Sequence, residues 1–372
     1  MYKNFFMGIA AVAALTLVSC SSDDLNSFSD NSSKNEAISF DSYLGRSAVA
    51  VNGSRSIMLN DKEALQRLSE GFGVFGNYKS AEGQEFGSNL FNNEHVTYKN
   101  SNWTYSPLKY WPTKGHIDFL AYAPYVKNPN FNSSSIDFNV ASKVADQKDL
   151  LYAKADGQTM ANNSGANKVK FQFGHALSRL GYSVKLKGTC SSDATIKLKK
   201  IILAGSATEP TEGSATESGT FYTKGTINLA TGSWSSLSGE QYFNWYSAPT
   251  SETSGSQEIT FTSSTSDKTY KNTDKEYLFV IPQKFPTTRE GKVNDLYVIV
   301  EYTIQYTGLQ TITNTVHKKL TQDFKQGKAY TINLTIGRPI EFDVDVVEEW
   351  KAPEDGTGDI NIGSNDNNPW DK

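Results

Sequence analysis

Tyr182-Ser183-Val184-Lys185-Leu186-Lys187 alternates apolar and polar side chains over its whole length. Successive side chains of a strand point to opposite faces, so this spacing describes a strand with one wet face and one buried face, not a helix. On its C-terminal side, strands are expected at residues 196–203, 221–229, 258–262, 277–281, 296–306, 311–317, 329–336 and 340–347. On its N-terminal side they are expected at 37–40, 71–78, 95–98, 103–105, 117–122, 136–140, 150–153 and 169–173. Polar stretches separate them, including two Ser/Thr/Gly-rich loops at 205–219 and 247–256. The 19 Tyr and 20 Phe are the residue types that pleated sheets favour. One short helix is expected at 61–68, capped by Asn60 or Asp61, with Leu65 and Leu68 on one face. The class is therefore all-β, and strands at this spacing point to β-sandwiches. The 372 residues exceed one comfortable core, so two domains are expected, residues 36–176 and 177–350, with a polar tail at 351–372.

The N-terminus has a different organisation. Lys3 precedes an apolar run of about fourteen residues at 5–18, which suits a signal peptide and is too short to span a bilayer. The run ends in Leu17-Val18-Ser19-Cys20, which resembles the lipobox of bacterial lipoproteins. The resemblance implies a signal peptide at 1–19, cleavage after Ser19 and acyl chains on Cys20 that hold the protein to a membrane. Ser21-Ser22-Asp23-Asp24 is similar to the export signal of surface lipoproteins in Gram-negative anaerobes, which implies a lipid-anchored, surface-exposed place on the outer membrane. Residues 20–35 then read as a flexible tether.

Several chemistries lack their residues. Of the two Cys, Cys20 is taken by lipid, so Cys190 has no disulfide partner; with no His nearby in sequence it reads as structural. A net charge of −4 without a basic patch argues against nucleic acid. His95, His116, His175 and His317 show no metal spacing, and His175, following an aromatic strand, reads as a packed or capping side chain. Asp355-x-Thr357-x-Asp359 resembles the start of a calcium loop, but Ile360 stands where the turn glycine is needed and Asp366 where the bidentate Glu is needed. Trp103, Tyr105, Tyr110 and Trp111 read as core, with sugar stacking the competing role. No cofactor is expected.

A series of motifs narrows the class further. Trp103-x-Tyr105-x-Pro107-x-Lys109-Tyr110-Trp111-Pro112 is followed by Ile117-Asp118-Phe119-x-Ala121-Tyr122-Ala123-Pro124. Asp149-Leu150-Leu151-Tyr152-Ala153-Lys154 precedes Val169-x-Phe171-x-Phe173-x-His175-Ala176-Leu177-Ser178. Phe279-Val280-Ile281-Pro282-Gln283 and Gly327-Lys328-Ala329-Tyr330-Thr331-Ile332-Asn333-Leu334 come later. In this order the blocks resemble the fimbrillin family of type V pilin-like proteins. The resemblance implies two tandem transthyretin-like β-sandwiches. It also implies a non-enzymatic pilus subunit (shaft, tip or anchor) that serves adhesion or biofilm formation. Its partners are then other pilus subunits, joined after an Arg-specific cut removes an N-terminal strand and another subunit's strand replaces it.

The residues accommodate that scheme. Ile38 and Phe40 are the alternating anchors a plug strand needs, and Arg46 follows between Gly45 and Ser47, with Arg55 as a second possible cut. Equally, Ile38 and Phe40 fit a permanent first strand. Ile340, Phe342, Val344 and Val346 share one face of a strand that is either a donor or the closing strand of its own domain. The competing function is a glycan-binding outer-membrane lipoprotein that never polymerises; an enzyme is a distant third.

The lipobox reading makes a direct prediction. Replacing Cys20 with Ala abolishes incorporation of radiolabelled palmitate and releases the protein from the membrane fraction; unchanged labelling contradicts the lipid site.

Overall fold

The chain forms strands where the alternation lies, together with several where it does not. The computed structural model describes residues 36–44, 62–80, 86–87, 89–163, 168–211, 220–249, 257–273, 276–289, 291–337 and 342–348. In the first half β1 (Phe40–Leu44) is followed by α1 (Lys62–Arg67), β2 (Phe72–Lys79), β3 (Phe91–Lys99), β4 (Asn102–Thr104) and β5 (His116–Ala123). Then come β6 (Phe131–Asn132), β7 (Ser135–Asn139), β8 (Leu151–Gln158), α2 (Met160–Asn163) and β9 (Val169–His175). The second half contains β10 (Ser178–Leu186), β11 (Ala194–Ala204), β12 (Phe221–Asn228), β13 (Trp234–Gln241), β14 (Phe243–Ser247), β15 (Thr260–Phe261) and β16 (Tyr270–Lys271). It continues through β17 (Leu278–Val280), β18 (Gln283–Phe285), β19 (Thr287–Arg289), β20 (Lys292–Asn294) and β21 (Leu296–Tyr306). The last strands are β22 (Ile312–Leu320), β23 (Gln322–Phe324), β24 (Ala329–Ile336) and β25 (Phe342–Glu348). The protein is all-β.

The first half builds a seven-stranded sheet in the order β1-β9-β8-β5-β2-β3-β4. Its central strand β5 is apolar at nearly every position because it is buried on both faces. Ile117, Phe119, Ala121 and Ala123 join a core with Phe40, Phe72, Phe91, Phe171 and Phe173. Leu120 and Tyr122, with Phe75 of β2, face a second core shared with the C-terminal half. Leu65 and Leu68 close the first core from α1 and the turn after it, on the face their spacing describes. Gly76 is there for space: a Cβ on it would lie 2.7 Å from the Phe91 ring and 3.0 Å from that of Phe119.

The second half packs two five-stranded sheets. One runs β16-β10-β24-β25, with β17 pairing β10 beside β16; the other runs β14-β11-β21-β22, with β15 pairing β11. Leu180, Tyr182 and Val184 of β10 meet Ile196 and Leu198 of β11 and Val298, Val300 and Tyr302 of β21 in one core. That core also holds the buried Cys190, whose thiol lies 3.3 Å from the Ala194 carbonyl oxygen. A four-stranded sheet, β13-β12-β7-β6, joins strands from both halves of the chain, since β7 pairs antiparallel with β12.

Some expected strands differ. The stretch at 258–262 contracts to β15, and β13 forms where Trp234-Ser235-Ser236-Leu237-Ser238-Gly239-Glu240-Gln241 has almost no alternation. β13 is an edge strand held by main-chain bonds to β12, which need no apolar period. The segment expected at 37–40 also shifts: the ladder begins at Phe40, while Glu36 to Ser39 are tied individually to two walls.

Gln147 is a buried polar bridge between the halves. Its Nε2 donates to the Ala141 carbonyl at 3.0 Å, and its Oε1 accepts the buried Phe279 N–H at 2.7 Å. Gln147→Ala strands both backbone groups, so it is expected to destabilise the fold by about 1–3 kcal/mol, read as a lower urea midpoint at an unchanged m-value.

Candidate functional site

The candidate site is the seat of the first strand. β1 is the edge of its sheet and runs parallel to β9, with Phe40 opposite Val169, Ser42 opposite Phe171 and Leu44 opposite Phe173. Upstream, the Val169 N–H donates to the Ser39 carbonyl at 3.0 Å. The opposite wall is the 105–111 loop. The Ile38 N–H donates to the Lys109 carbonyl at 2.8 Å, and the Trp111 N–H donates to that of Glu36 at 3.1 Å. Ala37 forms an antiparallel bridge with Tyr110. Segment 36–39 therefore lies in a slot with main-chain partners on both sides.

Side chains of alternate residues then point into the core. Ile38, Phe40 and Ser42 are each 1% exposed. The Phe40 ring centroid lies 5.4 Å from Tyr105 and 5.6 Å from each of Phe91, Phe119 and Phe171. Such aromatic pairs contribute about 0.5–1.5 kcal/mol each beyond the area they bury. Asp41 points the other way and lies 3.3 Å from Lys62 of α1, a half-exposed pair of small energetic weight. A polar pocket of about 200 Å³ opens beside this pair, lined among others by Asp41, Lys62, Trp103 and Lys170.

Tyr105 clamps the strand. Its hydroxyl donates to the Ile38 carbonyl at 2.8 Å and accepts the Lys109 N–H at 3.3 Å. Burial pushes its pKa from 10.0 up to about 12, so the donor proton is retained at neutral pH. The sequence motif contains Tyr105 and Lys109, but nothing in their spacing tells that they wall the seat.

The other expected residues fall as follows. Val344 of β25 is buried, Asp345 exposed and Val346 half-buried. β25 is hydrogen-bonded antiparallel to β24, with Phe342 opposite Ile336 and Val344 opposite Leu334. Trp103 packs 4.7 Å from Phe72 and 5.1 Å from Tyr98, and Trp111 lies 6.4 Å from Phe119; both are buried, so neither indole offers an open face to a sugar. His175 Nδ1 lies 2.6 Å from the buried Asp149 Oδ2, a packed pair at the end of β9. Among the described residues no three potential metal ligands converge, and no helix is long and apolar enough to cross a membrane. Cys20, Arg46, Arg55, Ile340 and the 355–359 stretch lie outside the described residues.

A profile of fimbrillin-like sequences matches residues 66–351, most of the chain. The chain belongs to the fimbrillin-like family. It is similar to the fimbrium subunit Fim1C of Phocaeicola vulgatus, at 26% identity over 397 residues that cover 95% of this chain and 98% of the relative. The crystal structure of a fimbrial protein from Bacteroides vulgatus superposes with a TM-score of 0.63 at 23% identity, covering 85% of this chain and 99% of that one. This fimbrillin-like chain thus shares its fold with a fimbrial protein.

Tyr105→Phe is expected to loosen the seat without unfolding the protein, costing about 0.5–1.5 kcal/mol and speeding amide exchange within 36–44. The neutral hydroxyl is the stabilising form. Its contribution is full below pH about 10, the unfolded value, and is lost as pH rises through about 12. The stability gap between wild type and variant therefore narrows only above pH about 10.

Proposed function

We propose that this chain is a structural subunit of a surface fimbrium, with no catalytic role. In this reading it is delivered as a lipoprotein anchored through Cys20 to the outer membrane and serves adhesion or biofilm formation. Two transthyretin-like sandwiches, at 36–176 and 177–350, form its body. Its partners are other fimbrial subunits, and β1 is a temporary plug. Family membership and the likeness to a fimbrium subunit support the role.

The observation that carries the assembly reading is the seat itself. An N-terminal strand lies at a sheet edge, parallel to β9, with three inward side chains each 1% exposed. Main-chain partners on both sides mean that its removal opens a slot, not a flat edge. An opened slot exposes aromatic core and unpaired backbone groups, a surface that is unstable in water until another strand fills it. A strand from a second subunit restores the ladder and refills the pockets with alternate side chains. The cut that frees the slot follows Arg46, or Arg55, and carries Cys20 and its lipid away with the discarded segment.

Mass spectrometry of surface material tests the scheme. Polymerised chains are expected to begin at Ser47, or at Ser56 if Arg55 is the site, and to carry no lipid. Substituting Arg46→Ala and Arg55→Ala together removes the basic side chain an Arg-specific protease must seat, and is expected to leave a folded, lipidated monomer at the membrane. Fibres built from chains that still begin at Cys20 would refute the exchange.

A further inference from the structure

The strand in the seat is imperfect at one position. Ile38 and Phe40 fill apolar pockets, but the third inward residue is Ser42. It stands in register with Phe171 in a row otherwise made of Val169, Phe171 and Phe173, all buried. Its backbone N–H is taken by the Asp41 side chain at 2.9 Å, while its buried hydroxyl has no hydrogen-bond partner among the described residues. A buried polar group without a partner favours the state in which it regains water. The resident strand therefore holds two good anchors and one poor one.

The same chain carries a better version of that strand. Ile38-Ser39-Phe40-Asp41-Ser42 and Ile340-Glu341-Phe342-Asp343-Val344 share Ile, Phe and Asp at matching places. They differ at the third inward position, Ser against Val. The shared Asp corresponds to Asp41, which faces Lys62 from the outer side of the seat. In its own chain the second segment is bonded to β24 as β25, so the second copy must first release that edge strand. Laid parallel to β9, it then repeats both anchors, presents its carboxylate to Lys62 and places a methyl-bearing side chain where Ser42 leaves an unpaired hydroxyl.

We propose that Ser42 is the position that makes the resident strand replaceable, and that the replacing strand carries Ile-x-Phe-Asp followed by an apolar residue, as residues 340–344 of a second copy do. This rests on the strand-exchange reading above and adds the recognition rule to it. Parallel pairing to β9 fixes the direction of entry, the Ile and Phe anchors in their buried pockets fix register, and the third pocket supplies the preference for newcomer over resident.

Two measurements test it. In the uncut full-length chain, Ser42→Ala is expected to raise the thermal midpoint by about 2–4 °C, because it removes the orphan oxygen without adding volume. An unchanged or lower midpoint overturns the proposal, and this arm does not depend on any cleavage. In the second, the full chain is nicked after Arg46 by limited proteolysis with an arginine-specific protease and titrated with a synthetic peptide of residues 338–348. Release of the N-terminal fragment is followed by gel filtration and mass spectrometry. The unmodified peptide is expected to displace the fragment at a concentration about tenfold or more below that needed by the same peptide carrying Val344→Ser. Equal displacement by both peptides overturns the third-position rule and leaves strand exchange standing. Displacement by neither overturns the exchange reading and the rule with it.

Discussion

The placement of Phe40 among four aromatic rings is the contact on which the N-terminal half depends. Phe91, Phe119 and Phe171 come from three different strands, and Tyr105 comes from the loop that walls the seat. None of these elements is contiguous with β1 in sequence, so one side chain ties β3, β5, β9 and the 105–111 loop together. Gly76 leaves the space in which Phe91 and Phe119 can meet it. Because β1 is an edge strand, this tie is made where a strand can leave without breaking an internal ladder.

The sheet behind the seat has a second support that does not involve β1. β5 and β2 send alternate side chains into two cores, and only one of those cores touches β1. Phe75, Leu120 and Tyr122 pack on the C-terminal side regardless of what occupies the seat. Tyr122 is fixed further by its hydroxyl, which donates to Asn93 Oδ1 at 2.8 Å and accepts the Val126 N–H at 3.2 Å. Loss of β1 thus removes packing from one face of the sheet while the other face keeps its own. In the proposed exchange, this second core is what would hold the slot in shape while the occupant changes.

Much of this was legible in the residues, and the gaps have physical causes. Alternation placed β2, β9, β10, β21 and β24 to within a few residues, because one face of each is buried; a short continuous apolar run placed β5, which is buried on both faces. β13 was not legible, since a polar edge strand is specified by its partner's backbone and not by its own side chains. Ile38 and Phe40 were legible as alternating anchors. The second wall was not: a loop that accepts the Ile38 N–H through the Lys109 carbonyl does so with main-chain atoms that every residue type carries. Ser42 was invisible for a different reason. A serine in a strand reads as the wet face, and only the register against Phe171 shows it turned inward.

The two ends of the described chain share a geometry that bears on the proposed assembly. β1 lies on the edge of the seven-stranded sheet and β25 on the edge of a five-stranded one. Each is bonded to its sheet by a single neighbouring strand, β9 or β24. The acidic Asp345 on the exposed side of β25 is the kind of charge that discourages indiscriminate edge-to-edge pairing. A strand must meet two opposed requirements to be exchanged between subunits. It has to be held well enough that the precursor does not aggregate, and weakly enough that a matching strand displaces it. Terminal edge strands suit both, because each gives up one ladder rather than two, to which the segment before β1 adds its bonds to the 105–111 wall. In the proposed exchange, the difference between an apolar and a hydroxylated third anchor sets the direction in which the strands trade.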